Sequence, residues 1–183
     1  MTQQAFERMT QELLVATDAL LKSELRLPGL LLLYAGIDIM ASLAPREAEG
    51  APAGGGFIEW TEEYLLQGGH LACGAEDLYA AGCGLLRPER PEAPESGEAE
   101  VKQVWYAWGT DRARDLQRML DEEGQSQTVA VHTDELLAAF RRAVKLFERS
   151  LYDDPERAEL VYQRAGKFLG NVAAPGRERR VGR

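Results

Sequence analysis

Histidine and cysteine are scarce in this chain: its 183 residues hold two of each, His70 and His132, Cys73 and Cys83. Two cysteines give no disulfide framework and read as free thiols on small, buried side chains. With no paired-histidine motif and a Cys-x9-Cys spacing that is not a ligand knuckle, only a spatial meeting of His70, Cys73 and Cys83 could build a metal site. No metal and no cofactor is therefore expected. Positive charge is short as well, with 21 Lys and Arg against 30 Asp and Glu and a net charge of -9. The last residues, "RERRVGR", are themselves basic, so the remainder is more acidic still, which disfavours non-specific binding to nucleic acid or anionic lipid.

Several motifs are missing. "GAPAGGG" lacks the lysine, the hydroxyl and the preceding strand of a phosphate-binding loop, and Gly-x-Ser-x-Gly, the serine-hydrolase elbow, does not occur. The first twenty residues mix Gln, Glu, Arg and Asp with apolar residues, so no signal peptide is read and a cytoplasmic location is expected. The one long apolar run, residues 27–44, is short for a membrane span and contains Asp38; it reads as a buried core helix, without membrane association.

What is present is helical periodicity. Phe6, Met9, Leu13, Ala16 and Leu20 form one apolar stripe on an amphipathic first helix. A second helix starts near Pro28, ends before Pro45 and is apolar nearly all round, which predicts a central position. "FIEWTEEYLL" gives a short third helix with Phe57, Thr61, Tyr64 and Leu65 on one face. Residues 75–86 give a fourth, with Ala75, Leu78, Tyr79, Gly82, Leu85 and Leu86 inward. Residues 133–151 carry Leu137, Phe140, Val144, Phe147 and Leu151 on one stripe, and Arg141, Arg142, Lys145 and Arg149 on a face read as solvated. A last helix begins at Asp154 and Pro155, with Ala158, Val161, Ala165 and Phe168 inward.

"VKQVWYAWG" and "TVAVH" read as two strands, separated by a helix with Thr110 as N-cap and Gly124 as stop. They are expected to pair as a small accessory ribbon. The Pro- and Glu-rich residues 90–100 read as a mobile loop. The fold expected is all-α: a bundle of four or five main helices with that two-stranded ribbon, in a single domain over 1–172, followed by a flexible basic tail over 173–183.

Asp38 stands between Ile37 and Ile39 in the most apolar helix, where an unpaired carboxylate is costly. It is expected to be buried and to accept hydrogen bonds from a helix N-terminus or from Trp60, Trp105 or Tyr79, or else to serve a function. Asp77 and Tyr79 are two further polar candidates, on the fourth helix.

The stretches "LLLYAGIDIMASL", "FIEWTEEYLL", "CGAEDLYAAGCGLLR", "YAWG" and "VAVHTDELLAAFR" resemble, in this order, a family of bacterial helical proteins. Members carry Arg-Cys-Gly, two apolar residues and His where this chain reads Gly82, Cys83, Gly84, Leu85, Leu86 and Arg87. That Arg-x4-His spacing is similar to the signature of the HEPN superfamily (higher eukaryotes and prokaryotes nucleotide-binding), helical proteins of which many are dimeric, metal-independent ribonucleases. The resemblance implies an arginine that stabilises phosphate charge and a histidine that moves protons. Here Gly82 offers no cation, and Arg87 cannot act as a base at neutral pH.

The expectation is therefore a catalytically degenerate binding or regulatory module, a homodimer, with a protein partner or RNA as further possibilities. The alternatives are a ribonuclease using relocated Arg87, Arg90 and His132, or a structural partner of another protein. Gly82 itself has two readings: an inherited slot that once held a long side chain, or a point of close helix approach shared with Gly84.

Overall fold

The computed structural model describes residues 3–44, 54–86 and 101–170. Arg87, Arg90, the 90–100 segment and the 173–183 tail lie outside them. Seven α-helices and one two-stranded sheet make up the described residues, a mostly α architecture with a small accessory sheet, as expected.

α1 (Gln3–Lys22) and α2 (Arg26–Leu43) form a hairpin. On α1 the inner face is Phe6, Met9, Leu13 and Thr17, and Ala16, expected inside, faces solvent. A threonine can sit there because its hydroxyl donates back to the Leu13 carbonyl at 2.7 Å, leaving no unpaired polar group. α2 buries Leu33, Tyr34, Ile37 and Met40 completely and so occupies the centre. By length and apolarity it could cross a membrane, and half of it is buried within this fold.

The central position does not extend to Asp38, which is exposed. Leu27, Asp38 and Ser42 lie on one stripe of α2 that faces solvent, so the carboxylate reaches water, and the expected hydrogen bond to Trp60, Trp105 or Tyr79 is not made. Consecutive helical residues are about 100° apart; Ile37 points into the core while its neighbour Asp38 points out.

α3 (Gly55–Trp60) widens at its end into one π-helical turn, Thr61–Leu65, closed by Leu66 N–H donating to the Thr61 carbonyl at 2.9 Å. Phe57, Trp60, Thr61, Tyr64 and Leu65 all face inward. Two side-chain atoms at this junction, Trp60 Nε1 and Thr61 Oγ1, are buried without a partner. α4 (Ala75–Leu86) buries Ala75, Leu78 and Gly82; its stripe continues to half-buried Leu85, leaving Leu86 43% exposed.

The strands β1 (Gln103–Ala107) and β2 (Thr128–His132) pair in parallel, Gln103 with Thr128 through Ala107 with His132. Parallel pairing requires a crossover, and α5 (Ala113–Glu122) supplies it. α5 starts after Arg112 rather than at Thr110; Asp115 in its first turn binds Arg112 and Arg118. Every residue of β2 is buried, and α5 also tends that strand's outer edge. The Gln117 amide accepts from Ala130 N–H at 2.8 Å and donates to the Thr128 carbonyl at 3.4 Å, much as a third strand's peptide group would.

α6 (Thr133–Ser150) leads straight from β2, with Leu137, Phe140, Val144 and Phe147 buried as its period predicts. α7 (Pro155–Gly170) starts at Asp154, whose carboxylate accepts from Arg157 N–H at 3.0 Å. It lays Ala158, Val161 and Ala165 inward, and the stripe runs on to half-buried Leu169, so Phe168, expected inside, is rotated outward. Arg164 closes the C-terminus of α2 by donating to the carbonyls of Ser42, Leu43 and Ala44.

Candidate functional site

α4 carries most of the side chains singled out in the sequence, and the structure gives several of them structural duties. Gly82 lies against the ring of Tyr34: a Cβ at this position would stand 2.9 Å from Tyr34 Cδ1. Tyr34 is fully buried, so its ring has nowhere to retreat. The glycine is what lets α4 close on α2, and any side chain at position 82 would press on that ring from its first carbon. Gly84 differs, because nothing lies within 4 Å of its missing Cβ. It is exposed, and the close approach belongs to Gly82 alone. Arg87, the other half of the spacing, lies outside the described residues.

Behind Gly82 the buried polar groups are paired off. The Tyr34 and Tyr106 hydroxyls share a hydrogen bond of 2.6 Å, joining α2 to β1. Burial pushes the Tyr34 phenol well above its usual range and raises Tyr106 too. Cys73, also buried, has its thiol pushed up to about 12, by burial first and by the nearby Asp77 carboxylate second. A thiol so held stays protonated at neutral pH and makes a poor nucleophile.

Asp77 is a structural anchor. One carboxylate oxygen accepts from Gly74 N–H at 2.8 Å, tying down the start of α4, and the other accepts from Lys102 N–H at 2.7 Å, where the chain enters β1. Tyr79 packs its ring on Phe57, 5.6 Å between centroids, and over Gly54. That glycine has φ +84 and would bring a Cβ within 2.2 Å of the Tyr79 ring. Asp38 is remote in chemistry from these groups: it lies on the exposed stripe of α2 and joins none of them.

His132 is committed at both nitrogens. Nδ1 accepts from Asp134 N–H at 3.1 Å as the N-cap of α6, and Nε2 meets the Gly109 carbonyl at 3.2 Å. Only the neutral ring with its proton on Nε2 satisfies both contacts, which leaves no free nitrogen for a relocated ribonuclease base. His70 is exposed on the turn after the π-helical segment, and no group of three His, Cys, Asp or Glu side chains that could hold a metal is formed among the described residues.

A second region went unnoticed in the sequence. Beyond the C-terminal ends of β1 and β2 opens a cleft of about 460 Å³, lined by Lys22, Glu24, Arg26, Trp108, Asp111 and Asp134 among others. It draws on the α1–α2 turn, the β1–α5 connection and the first turn of α6. The Arg26 guanidinium lies over the Trp108 indole, 5.6 Å from the ring centroid. Thr133 Oγ1 donates to the Ala107 carbonyl at 3.3 Å and fixes the floor where strand becomes helix.

At the lip, α1 ends in a Schellman-type turn. Leu25 N–H donates to the Leu20 carbonyl and Glu24 N–H to that of Leu21. Glu24 takes the left-handed position at φ 58, the only residue other than glycine with positive φ among the described residues. No sequence motif signals this cleft, since its walls come from three separated segments. The one local signal is a glutamate at a helix end where glycine is the usual choice.

Compared with protein families, with curated proteins and with solved structures, the chain matches none.

Proposed function

We propose that this chain is a catalytically degenerate HEPN-like binding or regulatory module that works as a homodimer. The reading rests on the resemblance carried by residues 82–87, and one observation supports its degenerate character: even a Cβ at position 82 would stand 2.9 Å from the buried Tyr34 ring. An arginine there, the phosphate-stabilising cation that such a ribonuclease needs, would have to displace that ring. The engagement of both His132 nitrogens and the high thiol pKa of Cys73 argue against a substitute base or nucleophile among these groups. For the dimer, the support is the exposed end of α4, where Gly84 is open and Leu86 is 43% exposed, both within the segment that carries the resemblance.

Two measurements test the proposal. Purified protein incubated with single-stranded and structured RNA in the presence of a chelator is expected to leave both intact. Light scattering coupled to size exclusion is expected to give twice the monomer mass. Chelator-resistant cleavage that copurifies with the folded protein overturns the degenerate reading, and a monomer at every concentration overturns the dimer.

A further inference from the structure

We infer that the cleft at the ends of β1 and β2 binds a small zwitterion of amino-acid size, its carboxylate on Arg26 and its ammonium group on Glu24 and the neighbouring lip carboxylates. None of the lining residues belongs to α4, so this site stands whether or not the 82–87 segment is a decayed catalytic centre.

Position comes first. In parallel α/β units, ligands settle beyond the carboxyl ends of the strands, where the connections diverge. Here the β1–α5 connection and the β2–α6 junction part at that place, and the cavity between them, about 460 Å³, falls in the range of small-molecule sites.

Charge then selects the ligand. Of the two cations in the lining, Lys22 is held by Asp18 at 2.7 Å. Arg26 makes no ion pair among the described residues; its guanidinium rests on Trp108 with its N–H groups unmatched by any carboxylate. Glu24, Asp111 and Asp134 likewise have no side-chain partner among the described residues. The α6 N-terminus adds little attraction for anions, since Asp134 N–H is taken by His132 and Asp134 and Glu135 stand in its first turn. A simple anion would meet three carboxylates, and a simple cation would meet Arg26. A molecule with both charges satisfies both sets, and Trp108 offers its body an apolar wall.

Glu24 sharpens the assignment. In a left-handed C′ position glycine is the unstrained residue, so replacing the glutamate by glycine should stabilise the fold while removing one arm of the site.

The test is calorimetric titration of the full chain with each of the twenty common L-amino acids, with phosphate and ethylamine as single-charge probes. At least one amino acid is expected to bind, and phosphate and ethylamine at least about tenfold more weakly. Arg26→Ala and Glu24→Gly are each expected to weaken that binding about tenfold, with Glu24→Gly melting at a higher temperature than the parent. Both residues are exposed, and Arg26→Gln, which removes the charge but keeps a long polar side chain, replaces Arg26→Ala if the latter does not fold. The inference is overturned if no amino acid binds at millimolar concentration, if phosphate or ethylamine alone binds as well as any amino acid, or if both variants bind like the parent.

Discussion

The contact between α2 and α4 and the cleft at the strand ends treat polar groups in opposite ways. In the first, Tyr34 pairs with Tyr106, Asp77 spends both oxygens on backbone N–H groups, and Gly82 removes even the volume of a methyl group. In the second, a guanidinium and three carboxylates stand open around about 460 Å³ of space. A region whose polar groups are all matched internally serves the fold, whereas unmatched charge around a cavity is free to meet something else. Gly82, the first residue of the segment that carried the sequence resemblance, belongs to the first kind, and the region without a motif is of the second.

The largest effect is expected from forcing a charge into the sealed region. Gly82→Arg, the change that would place an arginine at the first position of an Arg-x4-His spacing, is expected to destabilise the protein by about 3 kcal/mol or more. It combines overpacking against a fully buried ring with an unpaired buried charge. Denaturant midpoints check this. The same variant carrying Arg87→His is therefore expected to lose folded protein rather than gain ribonuclease activity, and a well-folded, cleaving double variant would show that the Tyr34 ring can move aside.

Alkaline pH opens the same region more gradually. Cys73 is raised from 9.0 to about 12, and the Tyr34 and Tyr106 phenols lie above 10. The folded state keeps these protons where the unfolded chain releases them. Stability from Cys73 is thus complete below about pH 9 and falls as pH rises toward 12, by about 1.4 kcal/mol per unit, with the phenols joining from about pH 10. Urea midpoints measured across this window should show the decline. Cys73→Ala should delay its onset by about one pH unit, and no delay would locate the sensitivity elsewhere.

Smaller effects separate two buried threonines. Thr61→Val removes an unpartnered hydroxyl and is expected to stabilise by about 1 kcal/mol, while Thr17→Val removes one bonded to the Leu13 carbonyl and is expected to destabilise by a similar amount. Equal shifts in thermal midpoint would contradict the difference in pairing. Smallest of all, Asp38→Ala is expected to change stability by less than about 0.5 kcal/mol, as an exposed site should. A large loss would place the carboxylate in a contact that its exposure denies.

These outcomes also mark where sequence was informative. The α6 stripe, the bounds of α4 and the two strands were legible because each depends on local periodicity and on where Gly, Pro and Asp punctuate it. Asp38 misled because an apolar helix in the centre of a fold can still keep one stripe in water, and which stripe it keeps depends on the neighbours. Thr17 in place of Ala16 was hidden by a hydroxyl that bonds its own helix. The duties of Asp77 and His132 required partners at Lys102 and Gly109, and the cleft required three segments to meet. No window of sequence contains such distances.

The parallel pairing of β1 with β2 bears on how the chain reaches this state. A hairpin can zip from its turn, but these strands cannot align until the intervening helix has shortened the path between them, so Gln103–His132 should gain order as one late, cooperative step. The start of β1 is tied to Asp77, which precedes it in the chain, whereas its mate lies beyond α5. Until β2 arrives, the backbone edge of β1 has no strand beside it. That interval is when the chain should be most exposed to pairing with a neighbour.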